Sequence, residues 1–162
     1  MRQIPRTLTD LIPPAAGGPP PRRLVRRDNS RIAMTLVEFR CYLSEAGDDE
    51  VRLWYEAQKP AVRGAILATM QALSSRPRDR WRRKPYGVLR SSTCRGLGEI
   101  RVEEPRRMHY RILGFFDGSE AFVLLYAFSK TFDPAYQLAC PEAQRRRLDV
   151  ERDITRTCEW RF

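Results

Sequence analysis

The chain has 162 residues, a mass of 18.9 kDa and a net charge of +10. This length allows one domain of ordinary size with a single real core, and no apolar run is long enough to span a membrane, which excludes a helical membrane protein. The excess of base over acid points to an anionic partner, nucleic acid first and an acidic protein second; a GC-rich genome accounts for lysine being confined to Lys59, Lys84 and Lys130, not for the excess itself.

Residues 1–33 mix prolines, glycines and arginines without periodicity, as in LIPPAAGGPPPRRLVRR, and cannot bury enough apolar surface to offset their ordering entropy. They are expected to be a disordered arm: either a basic arm that touches nucleic acid or translated sequence upstream of a true start at Met34. They contain no apolar stretch of the kind a secretory signal needs. MTLVEFRCYL (34–43) reads as a first strand. AGDDE supplies a turn and an acidic helix start, after which Val51, Trp54, Tyr55 and Gln58 fall at helical spacing. Pro60 opens a second helix whose Val62, Ile66, Thr69, Met70 and Leu73 share one face. The two helices are expected to form a hairpin that covers a sheet.

Residues 76–90, RPRDRWRRKPYGVLR, carry seven basic residues against Asp79. Arg80, Arg82, Arg83 and Lys84 interleave with Trp81 and Tyr86, a pattern suited to phosphate contact and base stacking, although a solvated charged loop has the same composition. Strands follow at LGEIRVEE (97–104), RMHYRILGFF (107–116) and EAFVLLYAFSK (120–130), joined by turns at Glu104-Pro105-Arg106 and Asp117-Gly118-Ser119. A last helix is expected from about Pro141 through EAQRRRLDVERDI. The fold class is therefore α+β, a small antiparallel sheet with an N-terminal helical hairpin packed on one face and a C-terminal helix. Cys41, Cys94, Cys140 and Cys158 are widely scattered, match neither a zinc pattern nor a disulfide framework, and are expected to be reduced thiols in a cytosolic protein.

The words GLGEIRV (96–102), YRILGFF (110–116) and VLLYAFSK (123–130), followed by AQRRR (143–147) in a helical tail, occur in an order and spacing that resemble the RelE/ParE superfamily of bacterial toxins, and most closely its HigB-like, phage-related branch. The resemblance spans roughly residues 34–150. It implies a toxin of a type II toxin–antitoxin pair: a cytoplasmic endoribonuclease that cuts mRNA, commonly on the ribosome, uses no metal or other cofactor, and is neutralised by a cognate antitoxin, often of helix-turn-helix type. ParE-like relatives share the fold and poison DNA gyrase instead; a catalytically silent RNA-binding relative is a third reading. The pattern departs from the family where Thr131 and Phe132, not a second basic residue, follow Lys130; RelE-like enzymes often place a catalytic tyrosine in the C-terminal tail, and Tyr136 is the candidate for it without a fixed register.

Strand alternation places Ile100 and Val102 opposite Glu99, Arg101 and Glu103, Tyr110 and Ile112 opposite His109 and Arg111, and Val123, Leu125 and Ala127 opposite Leu124, Tyr126, Phe128 and Lys130. If the first sets meet the helices, the second sets form one open face holding Arg101, His109, Arg111, Tyr126 and Lys130. Metal-free RNA cleavage needs cations around the phosphorane, and the planar guanidinium suits that task. Arg111 is expected on the scissile phosphate, supported by Arg101 and Lys130; the resemblance implies the same positions. A cross-strand ion pair to Glu99 or Glu103 is the alternative for Arg111. His109 reads as a general base or as a half-exposed strand histidine, and Tyr126 as a stacking or acid group or as a packed ring.

Overall fold

A computed structural model of the chain describes residues 36–82, 84–103, 108–130 and 135–162. The readings made for residues 1–33, Met34, Arg83, the 104–106 turn and residues 131–132 lie outside them.

Helix α1 (Glu50–Glu56) starts where Asp49 accepts a hydrogen bond from the Arg52 backbone N–H at 2.9 Å, satisfying one of the donors a helix start leaves unpaired. Pro60 opens α2 (Pro60–Ser74), which needs no donor at that position, and Val62, Ile66, Met70 and Leu73 form its buried stripe. The helical spacing of the sequence therefore holds for α2 and for Val51, Trp54 and Tyr55 of α1, while Gln58 lies beyond the end of α1. Strand β1 (Glu38–Tyr42) precedes them, and β2 (Tyr86–Val88), β3 (Gly98–Glu103), β4 (His109–Asp117) and β5 (Ala121–Lys130) follow. Helix α3 (Ala135–Arg152) and β6 (Thr157–Glu159) complete the order, with short 3-10 turns at Arg78–Arg80, Ser92–Cys94 and Ile154–Arg156.

The sheet order is β2-β3-β4-β5-β1-β6. Strand β1 runs parallel to β5, so the sheet is mixed and not antiparallel as expected. A parallel pair needs a long connection, which α1, α2 and the β2–β4 segment supply. Strands β2 and β6 are three residues each, too short for alternation to mark them in the sequence. Helix α3 begins by Ala135 and carries Pro141 inside it, earlier than the sequence suggests. The carbonyl that Pro141 leaves without an N–H partner belongs to Gln137, an exposed residue.

Helices cover both faces of the sheet. On one face α1 and α2 pack over Phe39, Ile100, Val102, Ile112, Phe122 and Leu124. On the other, α3 packs over Leu97, Leu113, Phe115, Val123 and Leu125, so this face is not open. A bulge shifts the β4–β5 register: Leu113 pairs with Tyr126 but Gly114 pairs with Leu124, and Leu125 is the extra residue. The bulge flips the parity of β5. Val123 and Leu125 join Tyr126 and Phe128 on the α3 face, while Leu124 and Ala127 go to the hairpin face, which corrects the simple alternation. Gly114 permits the close approach there, since a Cβ would collide with the Val123 carbonyl oxygen and the Phe122 ring.

Arg146, only 4% exposed, fastens α3 to the sheet. Its guanidinium donates to the Leu125 carbonyl at 2.9 Å, to Glu142 at 2.7 Å and to Glu50 of α1. Arg145 pairs with Glu142 and Asp149, and Arg147 with Glu151, so the AQRRR run is largely engaged within the domain. Cys94 and Cys140 form a disulfide with Cα atoms 5.1 Å apart, against the expectation of four reduced thiols. They lie 46 residues apart in sequence, and only the return of α3 across the Ser92–Cys94 turn brings them together. Cys41 and Cys158 are free, and burial pushes both thiols up. Among the described residues no helix is long and apolar enough to cross a membrane.

The Arg145 hydrogen bond, with Arg146 behind it and burial opposing, holds the Glu142 carboxyl down at about 2 from an ordinary 4.5. Because the folded value is the lower one, this cluster adds stability above about pH 4.5 that is lost as pH falls toward 2. Urea unfolding of Glu142→Gln across that window should show a flatter acid limb than the parent. Arg146→Ala, which also strips the buried Leu125 carbonyl of its donor, should lower stability by roughly 3 kcal/mol at neutral pH in the same assay.

Candidate functional site

Three rungs of paired residues run across the α3 face of β3, β4 and β5: Glu99, Leu113 and Tyr126; Arg101, Arg111 and Phe128; Glu103, His109 and Lys130. Directly paired residues project to the same side of a sheet, so the expected gathering of Arg101, His109, Arg111, Tyr126 and Lys130 on one face is found. The surroundings differ from an open basic surface. At the centre lies the carboxylate of Glu99, 3% exposed.

Burying a carboxylate is costly unless it is paired and hydrogen-bonded, and Glu99 is both. Its Oε1 receives Arg101 Nε at 2.6 Å and Nη2 at 2.5 Å. Its Oε2 accepts the Tyr136 hydroxyl at 2.5 Å and lies 3.6 Å from Arg111 Nε. Arg111, 8% exposed, donates Nη1 to the Tyr110 carbonyl at 3.0 Å. The cross-strand ion pair is thus present, and Arg111 is buried in it and not displayed on a free surface. Its Nε and the His109 Nδ1 are buried without a hydrogen-bond partner. Lys130 sits with Nζ 5.3 Å from the centre of the Tyr136 ring, which packs in turn on Phe128.

The first turn of α3 supplies Tyr136, and the Cys94–Cys140 bond ties that helix to the segment leading into β3. Burial first, then the hydrogen bond to Glu99, pushes the Tyr136 phenol up to about 12, with Arg111 acting against both. The phenol therefore keeps its proton at neutral pH. On the edge strand, Gly87 pairs with Glu99, and a Cβ there would stand 2.6 Å from Arg101 Nη2. The absence of a side chain at 87 lets the Arg101 guanidinium lie flat across β2. Lys84 pairs with the exposed Glu103 at 3.0 Å and lowers its carboxyl. Among the described residues, four cations, Lys84, Arg101, Arg111 and Lys130, gather around the carboxylates of Glu99 and Glu103.

The remaining expected site residues separate from this cluster. Trp81 and Tyr86, 3% and 7% exposed, are core rings and not stacking platforms. Trp81 packs on Phe39, Phe116 and Phe122, and its Nε1 donates to the Leu73 and Arg76 carbonyls, which leaves no free face for a base. Arg80 and Arg82 are exposed, and Arg82 Nε donates to the Asp79 carbonyl. Tyr126 is half-buried on the α3 core beneath the Arg146 guanidinium at 5.3 Å, the position of a packed ring. The sequence alternation puts Glu99 on the face of Arg111, but its role as the shared acceptor depends on α3 closing over it. Among the described residues no group of three or more His, Cys, Asp or Glu side chains is arranged to hold a metal ion.

The family model described as phage derived protein Gp49-like (DUF891) matches residues 53–148, more than half of the chain. The chain therefore belongs to the Gp49-like family, which is associated with the toxins of toxin–antitoxin systems. The matched stretch runs from α1 into α3 and includes every residue of the cluster. Comparison with curated proteins found no match, and comparison with solved structures found none.

Tyr136→Phe removes the donor from Glu99 Oε2 without altering the packed ring. It should cost about 1–3 kcal/mol in urea unfolding, the range for a buried acceptor left short of a partner. An unchanged midpoint would show that the hydroxyl does not hold Glu99.

Proposed function

We propose that the chain is the toxin of a type II toxin–antitoxin pair, of the HigB-like kind, and that it is a cytoplasmic endoribonuclease acting on mRNA at the ribosome. The observation that carries this reading is the cationic patch organised around one buried carboxylate: Arg101, Arg111 and Lys130 on adjacent rigid strands, with a protonated Tyr136 beside them. In the proposed reaction the 2′-hydroxyl loses its proton and its oxygen attacks the adjacent phosphorus. The 5′-oxygen leaves with a proton, giving a 2′,3′-cyclic phosphate and a 5′-hydroxyl end. Arg111 takes a phosphate oxygen; Arg101 and Lys130 offset the rest of the phosphorane charge. His109 is the candidate base, and the Tyr136 hydroxyl the candidate acid. Lys84, paired with Glu103, adds exposed charge beside the patch, and the exposed Arg80 and Arg82 are further cations for the RNA backbone. The partner that silences the toxin in this reading is a cognate antitoxin of helix-turn-helix type.

A second reading is favoured by the burial of Arg111. A guanidinium so enclosed by Glu99 and the Tyr110 carbonyl can serve stability alone, as it would in a gyrase-binding toxin of ParE type. Controlled expression in bacteria with mapping of mRNA 5′ ends separates the two. New hydroxyl-bearing 5′ ends accompanying growth arrest are expected. Arrest without new ends would contradict the nuclease reading and direct attention to a supercoiling assay. Arg111→Lys keeps the charge but loses the fork, and should reduce cleavage by the purified protein about 10²–10³-fold while leaving it folded.

A further inference from the structure

The cluster around Glu99 is closed. Arg111 and Glu99 are both buried, so a phosphate oxygen reaches the Arg111 guanidinium only if what lies over it moves. Among the described residues, Tyr136 is the part of α3 that reaches over the pair. Its hydroxyl lies on Glu99, and its ring packs on Phe128, the direct partner of Arg111 across β4 and β5. Two features that meet at one point of α3 decide whether this cover can lift: Pro141 and the Cys94–Cys140 bond.

Proline has no N–H, so the helix bond from residue 141 to the Gln137 carbonyl is missing. Such a gap in the ladder is where helices bend. The contacts of α3 divide at the same place. Beyond Pro141, Gln144 donates to the Arg95 carbonyl at 2.7 Å, the buried Arg146 to the Leu125 carbonyl at 2.9 Å, and Arg147 to the Gly96 carbonyl at 3.3 Å. Before it, Gln137 and Leu138 are exposed, and the described contacts of the turn are the Tyr136 hydroxyl and ring, the buried Ala139, and Cys140. Cys140 is the last residue before the proline. Its bond runs to Cys94, on the turn that leads into the strand carrying Glu99. The disulfide therefore ties together the same two segments as the Tyr136–Glu99 hydrogen bond, one helical turn away from it.

We propose that the Cys94–Cys140 disulfide is a redox latch on the start of α3. Oxidised, it holds Tyr136 over Glu99 and Arg111; reduced, it lets the turn before Pro141 lift and open the Arg111 guanidinium to phosphate. This rests on the endoribonuclease reading and on its cytoplasmic setting, where protein disulfides are usually transient, catalytic or redox-sensing. The reductant is a dithiol. One of its thiolates attacks a sulfur of the bridge and forms a mixed disulfide; its second thiol then displaces the protein sulfur. Two electrons and two protons pass to Cys94 and Cys140, which become thiols, and the dithiol closes to a cyclic disulfide. Both cysteines are buried, so attack follows a lifting of the same turn, and the rate of reduction reports that motion.

The test compares the full chain before and after dithiothreitol under native conditions, with alkylation of Cys94 and Cys140 followed by mass spectrometry. Reduction should speed amide hydrogen exchange over residues 135–140 about tenfold or more. It should also open Arg111 to phenylglyoxal, an arginine reagent, as located by peptide mapping. The oxidised chain should cleave RNA about 10²-fold or more slowly than the reduced one, the scale for losing one preorganised donor. The double variant Cys94→Ser, Cys140→Ser should match the reduced parent with or without dithiothreitol. Pro141→Ala, which restores the helix bond, should slow reduction of the bridge roughly fivefold. A bridge that stays oxidised in the native chain would overturn the proposal. So would equal cleavage in both states, or reduction that leaves both the exchange at 135–140 and the protection of Arg111 unchanged. Opening on reduction with no cleavage in either state would contradict the nuclease reading and leave the latch standing.

Discussion

A carboxylate that is almost wholly buried must find its hydrogen bonds inside the protein, and Glu99 finds them on three different elements: Arg101 on its own strand, Arg111 on the next, Tyr136 on α3. Much of the candidate site follows from that requirement. The ion pair lets Arg111 stay inside the sheet, where a lone guanidinium would be prohibitively expensive. The phenol donor fixes the first turn of α3 over the strands, and α3 in turn keeps water from the pair. Each partner restricts the others, so Arg101 and Arg111 are held in place by a buried carboxylate and by packing. Such preorganisation is what an electrostatic site for a phosphate needs.

The same dependence extends outward along α3. The helix is fastened along its length, by Tyr136 at its start, by Cys140 to the Ser92–Cys94 turn, by Arg146 to the Leu125 carbonyl and to Glu50, and by Gln144 and Asp149 to Arg95 and Tyr42. Leu125 is the bulge residue of β5. The irregularity that flips the parity of the strand thereby also leaves a carbonyl for the buried arginine. Arginine-rich composition, which in the sequence suggests nucleic acid throughout, divides into arginines that hold the fold together and those that stay exposed. Arg146 belongs to the first group and Arg80 and Arg82 to the second, while the exposed Arg145 and the half-buried Arg147 pair with carboxylates of their own helix.

How much of this could be read from the sequence depends on the range of the interactions. The stripe Val62, Ile66, Met70, Leu73 is a local pattern, and it survives in the structure unchanged. So does the shared face of Arg101, Arg111 and Lys130, because alternation needs only the two-residue period and the β4–β5 bulge falls beyond those rungs. What alternation cannot show is what lies over a face. The cover of α3, the burial of Arg111 and the Cys94–Cys140 pairing all require distant segments to meet. Trp81 and Tyr86 mislead for the same reason: aromatic rings among arginines look like a nucleic-acid surface until Phe39, Phe116 and Phe122 are brought around them. The parallel β1–β5 pair is invisible locally because its strands are joined through most of the domain.

The central claim is that Glu99 and Arg111 act as one unit on which the cationic site is built, and a double-mutant cycle tests it most directly. Unfolding free energies of the parent, Glu99→Gln, Arg111→Met and the double variant give the coupling between the two positions. The account predicts a coupling of at least about 1 kcal/mol, within the range found for residues of one buried network. Effects that add to within about 0.5 kcal/mol would contradict it, and would mean that the two side chains lie close without depending on one another.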